Sequence, residues 1–217
     1  MEAWYLLIDP PAPAAWNMAL DEALLRTAGQ RGRPLLRIYR WDRPSVTFGY
    51  FQKLPAYLTG NQVLMRRPTG GGIVYHGEDT TYTVVAPPGH RLHKLPTQEA
   101  YCLLHQAVSA ALALQSQIAD RKSTPRGQYE CFQNPVAGDV VGGGRKLAGG
   151  AQRRGKSGVL HQGSIATHVA PSQLADGFRR VLLADFQPYE LTTTERALAE
   201  ELVRTKYATE AWNRRTV

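Results

Sequence analysis

Cysteine is scarce in this chain, long apolar runs are absent, and acids are outnumbered by bases. The two cysteines, Cys102 and Cys131, are too few for a disulfide scaffold. In a reducing compartment both are expected as free thiols, and the question for each is reactivity. No apolar stretch approaches the roughly 20 residues that span a bilayer, so membrane insertion is not expected. The opening MEAWYLLIDPPAPA has no basic segment ahead of its apolar residues, which Asp9 and Pro10 soon break. It is no secretory signal, and a cytoplasmic protein is expected. No repeat and no Pro-, Gly- or Ser-rich linker divides the chain, and 217 residues suit one core better than two. Residues 1–217 are therefore read as a single domain. The six histidines form no metal-ligand pattern, and His90 with His93 reads as part of a solvated loop.

Lys and Arg number 26 against 18 Asp and Glu, a formal net charge of +8. That balance favours acidic partners, either nucleic acid or a small acidic carrier protein. No recognition-helix signature, zinc site or aromatic RNA-binding motif accompanies it, which turns the reading away from nucleic acid. Residues 31–40, 121–126 and 153–156 hold much of the charge and read as solvated surface.

Hydrophobic spacing predicts an α+β fold. Asn17 is placed to cap a helix that carries Asp21 and Glu22 and ends near Gly29. Short β-type runs follow at residues 35–41, 46–49, 63–66, 73–76 and 80–85, then a helix over 97–115 with Ala100, Leu104, Ala107, Val108 and Ala111 on one face. A loop over 121–138 precedes strands at 139–141, 146–152 and 158–165. Ser172 and the Thr192/Glu195 capping box then open two more helices.

Two glycine segments draw attention. RRPTGGGIVYHG, beginning at Arg66, sets three glycines where a backbone can approach a ligand, with arginines able to hold a carboxylate, a phosphate or an amide oxygen. Composition alone reads it equally as a hairpin turn. GGGRKLAGGAQ places Lys146 among close-approach glycines, as an electrostatic anchor for an acyl carbonyl or as an exposed strand lysine. GAQRRGKS, from Gly150, spells a phosphate loop, but β-type residues follow it where a helix is needed, so it is read as a basic turn between strands.

With these residues laid out, the chain resembles the lipoate and biotin attachment superfamily, and within it the LipM-type octanoyltransferases and lipoate-protein ligases. The likeness is carried, in order, by NMALDEALL at Asn17, LRIYRWDRPSVTFGYFQ at Leu36, RRPTGGGIVYHGEDTTYTV at Arg66, RKLAGGAQRR at Arg145, GVLHQGSI at Gly158 and KYATEAWN at Lys206. It implies a mixed, largely antiparallel central sheet flanked by helices, as in the biotin/lipoate-protein ligase catalytic domain; because the chain ends shortly after Trp212, no carboxy-terminal accessory domain is expected. It also implies an acyl tunnel lined or capped by Arg67, Gly70, Gly71, Gly72, Tyr75 and His76, with Gly149, Ala151, His161 and Gly163 facing them. Lys146 matches the lysine at the acyl carbonyl. Cys131, in GQYECFQNP ahead of that lysine, matches the LipM-type nucleophile, whereas the LipB group carries its cysteine after the lysine. Cys102 matches no motif.

The implied reaction is octanoyl transfer from octanoyl-acyl carrier protein to a lysine of a lipoyl domain or of glycine-cleavage H protein, through a Cys131 thioester. Lys146 raises the thiolate fraction or stabilises the oxyanion, and Lys146 or His76 is the candidate acceptor of the amine proton. A thioester is already activated, so no cofactor is expected. ATP and magnesium enter only in the alternative, an ATP-dependent lipoate-protein ligase. An amidotransferase moving octanoyl between lipoyl-domain proteins is the other alternative.

Overall fold

The computed structural model describes residues 1–54, 58, 63–112, 116–119, 132 and 135–215. Cys131, the expected nucleophile, lies outside the described residues. The elements are β1 (Glu2–Ile8), α1 (Ala14–Arg26), α2 (Ala28–Arg31), β2 (Leu35–Tyr39), β3 (Ser45–Phe48), β4 (Val63–Arg66), β5 (Val74–His76), β6 (Thr80–Ala86), α3 (Arg91–Lys94) and α4 (Thr97–Leu112). They continue with β7 (Gln117–Ile118), β8 (Val140–Gly142), β9 (Arg145–Gly155), β10 (Gly158–Ile165), α5 (Pro171–Leu182), β11 (Ala184–Pro188), α6 (Thr193–Leu202), a π-helical turn at Val203–Tyr207 and α7 (Glu210–Asn213).

Among the described residues one sheet runs in the order β11-β1-β2-β6-β10-β9-β8-β7, and a smaller one in the order β4-β3-β5. The β1–β2 and β1–β11 pairs are parallel and the other pairs of the large sheet antiparallel, so the sheet is mixed and largely antiparallel. Both faces are covered. Leu36, Ile38, Tyr82 and Val84 pack with Leu104, Val108 and Phe178 of α4 and α5 on one side. Leu35, Tyr39, Val85 and Leu160 pack with Met18, Leu20, Leu24 and Leu202 of α1 and α6 on the other. Alternation along each strand thus divides two apolar faces rather than a wet face from a dry one. No helix among the described residues is long and apolar enough to cross a membrane.

Several expectations need correction. Helix α1 starts at Ala14 behind Pro13, and Asn17 lies inside it, fully buried, where its amide donates to the carbonyls of Ala12 and Arg40. Pro13 is the N-cap residue and supplies no side-chain hydrogen bond to the helix. Asp21 and Glu22 are buried mid-helix rather than set at its positive end, because each is saturated by partners from other elements. His90 is not loop solvent: its Nδ1 accepts from the Leu92 N–H to cap α3, and its Nε2 meets Glu2 at 2.8 Å. The opening apolar residues and residues 184–188, unremarked as strands, pair in parallel as β1 and β11. The GAQRRGKS lookalike is indeed a hairpin, with Gly155 opposite Gly158 at the mouth of the β9–β10 turn.

Candidate active site

The loop after β4 is held rigid by its two arginines. Arg66 is fully buried and donates to the carbonyls of Tyr50, Gln52, Trp212 and Arg215 at 2.6–3.0 Å, which pins the carboxy-terminal segment to the loop after β3. Arg67 donates through Nη2 to Gly70 and Gly72 carbonyls at 2.8 and 2.7 Å, curling the glycine segment around its guanidinium. Of the acceptors expected for these arginines, they hold amide oxygens, and those belong to the protein's own backbone. Gly71 adopts φ +87° at the crest, a conformation that favours glycine, and a Cβ there would lie 3.2 Å from Arg67. Thr69 donates to Gln162 Oε1 at 2.7 Å, Gln162 Nε2 donates to Asp21 at 2.7 Å, and Arg37 pairs with Asp21 at 2.7 Å. The loop is thereby tied through β10 to the centre of α1.

Between this loop and strands β9 and β10 lies a narrow cleft with a cavity volume of about 30 Å³. Met18, Tyr39, Trp41, Thr81, Gln162 and Ser164 line it together with Arg67, Gly71, His76 and the backbone of Gly149, Gly150, Ala151 and Gly163. Its lining is chiefly apolar and aromatic with a few fixed polar groups, the chemistry of an apolar ligand site. His76 stacks on Trp41 with ring centroids 4.1 Å apart. Its Nδ1 meets Asp79 Oδ2 and its Nε2 meets Thr47 Oγ1, both at 2.7 Å. Burial pulls His76 below its ordinary value by more than Asp79 raises it. Burial raises Asp79, but hydrogen bonds from His76, Ser164 and the Gly77 N–H outweigh it and leave the carboxyl below its ordinary value. An ionised Asp79 only accepts, so the imidazole proton sits on Nδ1 and Nε2 accepts from Thr47. Both nitrogens are hydrogen-bonded, and the His76 ring forms part of the cleft wall.

Lys146 reaches the site through a β-bulge. Val140 faces Ala148 while its neighbour Val141 faces Lys146, so Leu147 is an extra residue in β9 and the lysine is re-aimed. Its ammonium is buried and lies 2.8 Å from Asp139 Oδ2. Asp139 is fixed in turn by the Val136 N–H at 2.7 Å and the Tyr101 hydroxyl at 2.6 Å. Strand β8 begins opposite Ala148, so the N–H of Gly150 projects beyond it, and Tyr101 accepts that N–H at 3.0 Å in place of a strand neighbour. The lysine side chain crosses Gly149: a Cβ there would collide with Lys146 Cε and sit 2.5 Å from Nζ. Phe132 lies beneath the ammonium, its ring centre 5.8 Å away.

The structure brings Arg67, Gly71, His76, Gly149, Ala151 and Gly163 to the cleft, with Lys146 against Gly149. Gly70 and Gly72 contribute carbonyls to Arg67 rather than to the cleft wall. Tyr75 is 46% exposed between buried Val74 and His76, on the other side of β5. His161 points to the α4 side of the sheet, where its Nε2 meets the Tyr82 hydroxyl at 3.1 Å and its ring packs against Tyr101 and His105. Strand alternation is the reason: Gln162 and Ser164 face the cleft, and His161 faces away. Gly163 is glycine because a Cβ would strike the Tyr82 phenol, 2.5 Å from its oxygen, behind the cleft. The sequence reading missed Met18, Trp41, Gln162, Ser164, Asp79 and Asp139. Knowing which β10 parity faced α1 would have yielded Gln162 and Ser164, and Asp79 was signalled by its spacing of three from His76.

The lipoyl protein ligase A/B catalytic domain family matches residues 13–191. Octanoyltransferase LipM of Brevibacillus brevis is 30% identical, with 99% of this chain and 100% of the relative covered. LipM of Geobacillus kaustophilus is 31% identical, with 98% of each covered. Among solved structures, lipoate-protein ligase A bound with ATP superposes with a TM-score of 0.80 at 26% identity, covering all of both chains. The bipartite lipoate protein ligase of Thermoplasma acidophilum shares the fold at a TM-score of 0.80 and 24% identity, with 100% of this chain and 98% of that one covered. This chain belongs to the lipoyl protein ligase A/B catalytic domain family and is an acyltransferase.

Proposed function

We propose that the chain transfers an octanoyl group from acyl carrier protein to a lysine of a lipoyl domain or H protein, through a thioester on Cys131 and without nucleotide or metal. The observation that carries this reading is the buried Lys146–Asp139 pair laid across Gly149, itself a cleft residue, in a chain 30% identical to a named octanoyltransferase over 99% of its length. The Cys131 thiolate attacks the donor's carbonyl carbon, and the oxyanion that forms is stabilised by the Lys146 ammonium. The carrier's thiolate departs and takes a proton. The acceptor amine then attacks the enzyme thioester, an amide forms, and the proton lost by nitrogen returns the departing Cys131 sulfur to a thiol. Lys146 acts here as a fixed positive charge, because its partner Asp139 holds it as half of an ion pair.

Intact mass measurement tests this directly. Incubation with octanoyl-acyl carrier protein and no ATP is expected to give an octanoyl adduct on the native chain and none on Cys131→Ser. A second reading, an ATP-dependent ligase, is favoured by the overlay with the ATP-bound ligase. Lipoyl-domain modification that requires ATP and free acid, with no adduct on Cys131, establishes that reading and overturns ours.

A further inference from the structure

A second hollow adjoins the cleft. It is an open groove of about 340 Å³ walled by Tyr50, Phe51, Pro68, Arg153 and Arg154. Gly70 and Gln152 line this groove, whereas their neighbours Gly71 and Ala151 line the cleft, so only the width of the backbone separates the two. Phe51 is 74% exposed there, an aromatic ring that the fold itself leaves bare.

Cations gather around the groove. Arg154 is committed, donating to the carbonyls of Leu92, His93 and Leu95 at 2.7–3.0 Å. Arg153 is exposed, and its side chain forms no hydrogen bond or ion pair among the described residues. Arg215 stacks on Tyr50 at 3.8 Å and on Trp212 at 4.3 Å, and its buried Nε and Nη2 find no acceptor among the described residues. Lys206 lies over the Trp212 ring at 4.0 Å, and Glu22, its carboxylate partner, is shared with Tyr207 and Arg26. The hydrogen bond from Arg215, together with the positive charges of Arg215, Arg153 and Lys206, pulls the Tyr50 phenol below its ordinary value, so these cations act on one spot.

We propose that this face seats the acyl donor, a small acidic carrier domain whose carboxylates meet the exposed Arg153 within the positive field of Arg215 and Lys206, whose apolar contact is Phe51, and whose thioester arm crosses the Gly70–Gly71 backbone into the cleft. The proposal rests on the octanoyl-transfer reading and adds the place where the donor docks. Charge complementarity selects an acidic domain, and the shared backbone explains how a short arm suffices to deliver the acyl chain.

The test is Arg153→Glu in the full chain, a residue outside the reacting groups. KM for octanoyl-acyl carrier protein and the Kd for labelled carrier protein by fluorescence anisotropy are each expected to rise about tenfold, the effect of turning a surface attraction into repulsion. Turnover of a small octanoyl thioester of N-acetylcysteamine should stay within about twofold, and about 0.5 M salt should shrink the difference between native and variant for the carrier. An unchanged KM and Kd for the carrier overturns the proposal. So does an equal loss with the small thioester, or a rise confined to the lipoyl-domain acceptor. If the native chain uses neither thioester, the transfer reading fails, and the anisotropy shift still decides whether an acidic domain sits on this face.

Discussion

Substituting Gly149 by Ala isolates the placement of one ammonium group. The backbone at Gly149 is not in the left-handed region, so alanine fits the strand itself. Its methyl carbon, however, would sit 2.5 Å from Lys146 Nζ and 3.3 Å from Asp139 Oδ1. Ordinary contact needs about 3.5 Å, so the ammonium must retreat by about 1 Å. The end of a lysine can move while a strand cannot, and the fold should survive with Tm lowered by only a few degrees. A displacement of about 1 Å at the reacting centre costs on the order of a hundredfold in rate, or about 2.7 kcal/mol of transition-state stabilisation. The assay is the rate of self-octanoylation from a small octanoyl thioester, followed by intact mass. In a Lys146→Ala background the same Gly149→Ala change should have little further effect, which separates displacement of the ammonium from simple filling of the cleft. A Gly149→Ala enzyme with native rate, or one whose loss is the same with and without Lys146, refutes the reasoning.

Two further outcomes concern stability. Arg66→Lys should destabilise the fold by on the order of 3 kcal/mol, because one ammonium cannot replace a fork serving Tyr50, Gln52, Trp212 and Arg215 carbonyls. Amide exchange should rise at residues 212–215, and a loss below about 1 kcal/mol in urea unfolding counts against the staple. His105 is fully buried and its pKa is pulled down to about 4, chiefly by burial. Between that value and about 6.5 the unfolded chain binds more protons than the folded one, so stability falls as pH falls through this window. From pH 7 to pH 5 the loss assigned to His105 is about 2 kcal/mol, and His105→Gln should flatten the slope by that amount. An unchanged slope in urea titrations at the two pH values contradicts it.

What the sequence determined by itself is local. The strands at Val63–Arg66 and Gly158–Ile165, the Thr192/Glu195 capping box and the basic turn at Lys156 were legible because each is written in neighbouring residues: β-branched runs, a cap at fixed spacing, glycines at a hairpin. Ordered motifs likewise carried the family. The tertiary structure decided everything that depends on which side of an element meets what. With apolar residues on both faces of the sheet, polarity could not say whether His161 or Gln162 faces the cleft. Nor could spacing foresee that Leu147 bulges and turns Lys146 toward Asp139, or that Asn17 and Asp21 are consumed by Arg37 and Gln162 inside the core. Parallel β1 and β11 exist through partners about 180 residues apart, and a pairing over that distance leaves no periodic trace in either segment.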